Sequence, residues 1–341
     1  MDSSRNRIFA VDWMKGVMIT IIVLHHYFCI PGFNHTYLPV DFFFFISGYF
    51  LMGGFSSKRS SAFQYTCKRV AKFYPAFLVC FFLSCIILHS RLDFSSLDAF
   101  VRTVGSFSFL LTLTNGLVTT VPFPVLDVTW FLSILVIAGF FVYALLDYDQ
   151  KLACTIVFPL FIIFGYTLIF SNDASIQGGG IKYGFNLNLI RGFCDMSFGV
   201  LIHQLYSRHK ESIDRKSTRF NILFILATVL FALIMITKEC HDVFAVIILP
   251  FIILGLIMEK SWINSLLGHI RGGFFSVVGR HSFEILIIHQ LVMITLYKLL
   301  DLVGLHIPLS LLVALDFILV LFLSFGLRKV SDFLSAKLKA S

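Results

Sequence analysis

Charge is what this chain has least of. Only 13% of its 341 residues are Asp, Glu, Lys or Arg, against about 25% in a soluble domain. Hydrophobic residues make up 58%, and the mean hydropathy is +0.89. That composition excludes a water-soluble globular protein and predicts one embedded in a bilayer. Cysteine is sparse and scattered, at Cys29, Cys67, Cys80, Cys85, Cys154, Cys194 and Cys240. No pair has metal-ligand spacing, so neither a metal site nor a disulfide framework is expected. Nor is a cleavable leader expected: the apolar run from Ile8 to Ile30 is longer than a signal core and lacks an obvious small-residue cleavage site. No internal repeat of the transporter kind is visible. The net charge of +8 does not call for nucleic acid, because basic residues in a membrane chain answer first to topology.

What is present is a series of apolar runs. About 20 such residues cross a bilayer, and that ruler predicts an all-α polytopic membrane protein with about ten spans. They fall near 8–29, 38–56, 72–90, 124–146, 153–171, 187–206, 219–237, 242–258, 277–299 and 308–328. The run Val101–Val118 is rich in Thr, Ser and Gly and ends at a turn signal, Asn115-Gly116. It reads as a re-entrant or surface-lying helix. With ten spans and the N-terminus inside, 21 of the 27 Lys and Arg fall on the inner side and 6 on the outer. An eleventh span would carry the Arg208–Arg219 cluster outside, against the positive-inside rule. Both termini are therefore expected in the cytoplasm. Residues 1–341 read as a single transmembrane domain, the last about 330–341 forming a short cytoplasmic tail, with no soluble domain.

Polar residues inside those runs are the functional candidates, since burying them in lipid costs several kcal/mol. Lys15 and His26 stand eleven residues apart in the first run. That is roughly 16 Å of helical rise and about three whole turns, so both lie on one stripe. Histidine suits general-base work; of the adjacent pair, only His26 shares the stripe, leaving His25 a neighbouring role. Asp12, three residues before Lys15, can pair with it. Asp41 opens the second span at a similar depth to His26, either orienting the imidazole or capping the helix. Ser47-Gly48 marks a close-approach point. Arg69 and Lys72, on the opening turns of the third span, suit phosphate clamping or a membrane anchor. Asp127 and Trp130 open the fourth span, and Arg191 the sixth, where it could grip an anionic or sugar ligand. Glu284 and His289 lie in the ninth span, five apart, each expected to meet a different helix.

These stretches together resemble the membrane acyltransferase-3 family, the O-acyltransferases of bacterial surface glycans. The family's basic residue, ten intervening positions and histidine are similar to Lys15 and His26, with Asp12 ahead; arginine is commoner than lysine at the first position. An aspartate, aromatic run and Ser-Gly are matched by Asp41 to Tyr49. A basic pair before an aromatic and proline is matched by Arg69, Lys72 and Pro75. Trp130-Phe131-Leu132 matches the fourth-span motif, and Gly279, Ser282, Phe283 and His289 the late one. Two positions depart: Leu135 stands where many members have glutamate, and Val128 where some have histidine. The fused esterase-like domain of larger members is not expected.

The resemblance implies transfer of an acyl group, usually acetyl, from cytosolic acyl-CoA to a glycan hydroxyl. Lys15, Arg69, Lys72 and Asp12 would serve the acetyl-CoA donor. His26, Asp41, His25 and His289 would serve catalysis. Ser47, Asp127, Trp130, Arg191 and Glu284 would serve the glycan or glycolipid acceptor, such as lipopolysaccharide. The expected setting is the bacterial inner membrane, with membrane lipids and the envelope-polysaccharide machinery as partners. The competing expectation is a secondary transporter or flippase, which would also place His and Glu within the membrane.

Overall fold

The computed structural model describes residues 8–27, 34–57, 59–118, 125–171, 175–176, 180–239, 241–269 and 273–340. Arg5, Arg7, Lys58 and Arg271 of the inner charge set, Cys29, Cys240 and residues 119–124 lie outside these, as does the side chain of Asp127. The described chain is built from helices: α1 (Phe9–His25), α2 (Pro39–Ser57), α3 (Ala62–Ile87), α4 (Leu97–Leu111), α5 (Trp130–Leu152), α6 (Phe158–Phe170), α7 (Leu187–Arg215), α8 (Ser217–Ile236), α9 (Asp242–Ile257), α10 (Trp262–His269), α11 (Phe274–Arg280), α12 (Ser282–Leu302) and α13 (Leu309–Ala340). One small ladder pairs β1 (Ile181–Lys182) with antiparallel β2 (Phe185–Asn186). Its two turn residues, Tyr183 and Gly184, both have positive φ, the backbone a two-residue hairpin favours.

Each of the ten expected spans falls largely on helix, but among the described residues six helical runs are long and apolar enough to cross a membrane by themselves. One of the six, Trp130–Phe170, is 41 residues, about twice the length a bilayer core needs. It joins α5 to α6 through a five-residue π turn, Ala153–Val157, and its helical geometry breaks at Asp149. Two expected spans therefore share one helical run. Helix α1, at 17 residues, and α9, at 16, are short of the length, and α7 is diluted by polar residues. Helix α4 has 15 residues, or roughly 22 Å, and buries one stripe through Ala99, Thr103, Ser106 and Leu110. That one-sided burial suits a surface-lying helix. Large apolar side chains such as Phe164, Ile222, Ile318 and Phe322 stand exposed on α6, α8 and α13, the surface that lipid would cover.

Two apolar cores meet at α1 and α2. The second half of α1 (Ile19, Ile22, Val23) belongs to a core with α3, α5, α12 and α13. Its first half (Ala10, Val11, Met14, Met18) belongs to another with α2, α7, α8 and α9. Helix α2 is divided in the same way, with Phe44 and Phe55 in one core and Phe42, Phe45 and Ile46 in the other. Two backbone contacts fix this seam. A Cβ at Gly48 would lie 2.0 Å from the Met196 carbonyl oxygen, and one at Gly199 2.0 Å from that of Phe45, so α2 and α7 touch backbone to backbone. The close approach expected at Ser47-Gly48 is this contact. Gly16 meets the Phe275 backbone and Gly279 that of Asp12 in the same manner, which locks α11 against α1 and sets where α12 begins.

Candidate active site

His26 caps the C-terminal end of α1, and His289 lies in the buried part of α12. The α1–α11 lock brings them together: their ring centroids are 4.7 Å apart at 67°. His289 Nδ1 lies 2.7 Å from the Leu286 carbonyl oxygen and 3.2 Å from that of Ile285. A carbonyl only accepts, so Nδ1 carries the proton and Nε2 holds a lone pair. That lone pair is 3.3 Å from His26 Nδ1, which is itself 2.9 Å from the Ile22 carbonyl oxygen. His26 Nδ1–H is thus held between two acceptors. Its tautomer is fixed, and Nε2 is left as the basic nitrogen, the arrangement a general base needs. His289 is an orienting partner of His26 and has no second N–H with which to stabilise an oxyanion.

His25 points elsewhere. Its Nδ1 is 2.7 Å from the Thr36 hydroxyl, and its ring meets His26 edge-on at 5.5 Å. Thr36 belongs to a short segment pinned by buried polar contacts. The Asn34 and His35 amides donate to the Met235 carbonyl. The Tyr37 hydroxyl donates to Asp242 Oδ2 at 2.8 Å, and His35 Nδ1 is 3.1 Å from Asp242 Oδ1. The Ile176 amide donates to Asp242 as well, at 2.7 Å. A carboxylate at the start of α9 therefore holds the connection between α1 and α2, and through it His25.

Asp41 is fully buried but does not orient His26. Arg191 Nε and Nη2 donate to its two oxygens at 2.6 and 2.8 Å. The guanidinium fork matches a carboxylate in this bidentate geometry; of the two roles expected for Asp41, orienting His26 gives way to an ion pair between α2 and α7, while its place in the first turn of α2 suits the helix start. Arg191 is 4% exposed, and the same pair commits it to the fold rather than to an open ligand site. Asp195, one turn along α7, adds a second carboxylate next to Arg191 and accepts from the Tyr166 hydroxyl of α6. Sequence reasoning passed over Asp195, although a carboxylate amid Phe193, Met196 and Phe198 is the signal it applied to Glu284.

The remaining residues gather at two ends. Lys15 Nζ lies 5.5 Å from the Phe50 ring centroid, on the half of α1 away from His26. Asp12 is buried one turn earlier on α1. Arg69 hydrogen-bonds the Tyr65 hydroxyl, and the Tyr65 ring stacks on Tyr143 at 4.5 Å. Lys72 is exposed on the same helix. Glu284 sits in the first turn of α12, 4.0 Å from Arg328 of α13 and close to Lys72. It thus groups with these cations, away from the end that carries His26. At the other end, Trp130 heads α5 after a 3-10 turn, Asp127–Thr129, that rests on α12. Phe131 packs 4.5 Å from Phe44 of α2. Ser47 is half-buried beside the Gly48 contact. Among the described residues, no three His, Cys, Asp or Glu are grouped to hold a metal ion.

Comparison with known proteins gives one result at the level of family. No curated protein and no solved structure matches the chain. The family model described as an acyltransferase domain matches residues 8–329, from the first residue before α1 into the second half of α13, and so covers every side chain described above. This chain belongs to the acyltransferase-3 family and is a membrane acyltransferase.

Proposed function

We propose that the protein moves an acetyl group from cytosolic acetyl-CoA to a hydroxyl of a glycan on the far side of a bacterial cytoplasmic membrane. The observation that carries this reading is the fixed tautomer of His26, with Lys15 about 16 Å away on the same helix. The chain crosses ten times with both termini inside, so Lys15, Arg69 and Lys72 face the cytosol, where the phosphates of coenzyme A are. The pantetheine arm then extends along α1 and delivers its thioester toward His26.

In this reaction, His26 Nε2 takes the proton of the acceptor hydroxyl as that oxygen attacks the thioester carbonyl. The tetrahedral intermediate collapses, the C–S bond breaks, and the proton on His26 passes to the departing thiolate. The products are an O-acetyl ester and coenzyme A. His289 holds His26 throughout and strengthens its hydrogen bond when the imidazole is charged. His25 and Ser47 are the nearby candidates for donors to the oxyanion. Asp41 and Arg191 keep α2 and α7 in register beside the site. Trp130 and Asp127 border the acceptor end.

The test is coenzyme A release from acetyl-CoA by purified protein with envelope glycan as acceptor. Removing the base costs roughly 10²–10⁴-fold in turnover, so His26→Ala should fall at least that far, and full turnover in this variant would sink the assignment. In the same assay Arg69→Ala/Lys72→Ala should raise the KM for acetyl-CoA by about tenfold, the loss of one or two charge-assisted contacts. An unchanged KM would remove the clamp. Labelling of single cysteines placed at 182 and 216 tests the crossing number, the first expected to react from outside and the second from inside.

A further inference from the structure

His25 and His26 are neighbours in sequence, but their rings are held by opposite kinds of partner. His26 Nδ1 faces two acceptors and so carries a proton. His25 Nδ1 lies 2.7 Å from the Thr36 hydroxyl oxygen. Thr36 is 3% exposed, and among the described residues that imidazole nitrogen is the one hydrogen-bond partner of its side chain. Asn34, His35 and Tyr37, on either side, are tied to Met235 and Asp242, which keeps Thr36 in place. A buried hydroxyl has a proton of its own to dispose of. Were Thr36 to accept from His25, its O–H would be left in apolar surroundings without an acceptor, the costlier arrangement. Thr36 therefore donates, Nδ1 accepts, and the proton of neutral His25 sits on Nε2. The two histidines have opposite tautomers: His26 offers a lone pair at Nε2, His25 an N–H. Whatever His25 Nε2 meets, it meets as a donor. Both rings are half-buried, and their centroids are 5.5 Å apart with the planes at 87°. Hydrogen bonds of about 3 Å from two rings so placed can converge on one reacting group.

We propose that His25 is the catalytic residue that stabilises the oxyanion, and that Thr36 is the positioning residue that makes it a donor. His26 Nε2 takes the proton of the acceptor hydroxyl as that oxygen attacks the thioester carbonyl. The carbonyl oxygen becomes the oxyanion and accepts from His25 Nε2–H. When the C–S bond breaks, the carbonyl re-forms, the proton on His26 passes to the thiolate, and His25 keeps its own proton throughout. The adjacent imidazoles divide the work, one as base and one as donor, and of His25 and Ser47 the role falls to His25. This assignment rests on the acyl-transfer reading above.

The experiment uses the full chain in lipid nanodiscs with isotope-labelled histidine. Solid-state NMR separates protonated from unprotonated ring nitrogens, and the signals of His25 are those lost in His25→Gln. Nδ1 of His25 should resonate as an unprotonated nitrogen and Nε2 as a protonated one, the reverse of His26. Thr36→Val keeps the shape of the side chain and removes the hydroxyl, so both tautomers of His25 should then appear. Coenzyme A release from acetyl-CoA, with envelope glycan as acceptor, is read in the same samples. His25→Ala should lower turnover by roughly 10²–10³-fold, the effect of losing an oxyanion donor. His25→Gln, which keeps an N–H but no base, should lose less. Thr36→Val should lower turnover about tenfold, the effect of one hydrogen bond, with the KM for acetyl-CoA within about twofold. Thr36→Ser, which returns the hydroxyl, should recover most of that loss. A protonated Nδ1 in His25, or equal turnover in Thr36→Val and the unmodified protein, would overturn the proposal. Equal losses in Thr36→Val and Thr36→Ser mark a merely structural residue and also overturn it. Absence of coenzyme A release by the unmodified protein would defeat the acyl-transfer reading, whereas release with His25 in the other tautomer would defeat only this inference.

Discussion

At His26, two hydrogen-bond acceptors replace the carboxylate that usually orients a catalytic imidazole. Both are neutral: a main-chain carbonyl at 2.9 Å and the lone pair of His289 at 3.3 Å. In lipid that choice has a physical reason, since a neutral partner avoids the desolvation cost of a buried anion. His289→Ala should therefore lower turnover by roughly 10²-fold, the lower part of the general-base range, with the KM for acetyl-CoA unmoved. His289→Gln, which keeps a side-chain acceptor, should lose less. Stopped-assay kinetics on the pair decides it, and equal losses would argue against orientation. The two variants of the Asp41–Arg191 pair should also differ. Arg191→Ala leaves Asp41 and Asp195 without their common cation, a buried-charge defect of about 3–5 kcal/mol. Asp41→Asn leaves Arg191 next to Asp195 and should cost less. Thermal midpoints in detergent should rank them in that order. The sequence made His26, Lys15 and His289 readable through spacing and depth. It could not show that Asp41 belongs to Arg191, because the two are 150 residues apart and only the α2–α7 contact joins them.

Among the elements, α2 depends on what its glycines leave out. Gly48 has the Met196 backbone where a side chain would be, whereas Gly54, six residues on, has nothing within 4 Å. Gly48→Ala must push α7 away and should destabilise the protein by about 1–3 kcal/mol or more, taking the Asp41–Arg191 distance with it. Gly54→Ala removes backbone freedom at no steric cost and should be neutral or stabilising by about 0.5–1 kcal/mol. Thermal unfolding of the two variants side by side is the measurement, and similar losses would refute the contact. The ten apolar stretches were legible from hydropathy alone. Their lengths were not, because a run of apolar residues does not reveal where a helix ends, as α1 does at His25, or passes without interruption into the next, as from α5 to α6.

Across the whole molecule, the same helices that hold the site hold the two cores together. The first half of α1 lies in one core and its second half in the other, so Lys15 and His26 stand near the two ends of the helix where the cores join. Lys15, Arg69, Lys72 and Glu284 gather at one end of the molecule, and His26 and His289 meet nearer the other.

The lock between α1 and α11 sets a schedule for making the protein. His26 and His289 are 263 residues apart in the chain, and at roughly 5–20 residues per second the second is synthesised some 13–50 s after the first. For that interval α1 must stay in or beside the membrane with Asp12, Lys15, His25 and His26 on it, and with the Gly16 surface that α11 will occupy uncovered. The first helix made is the last to be completed, so the nascent chain carries those four polar side chains through most of its own synthesis.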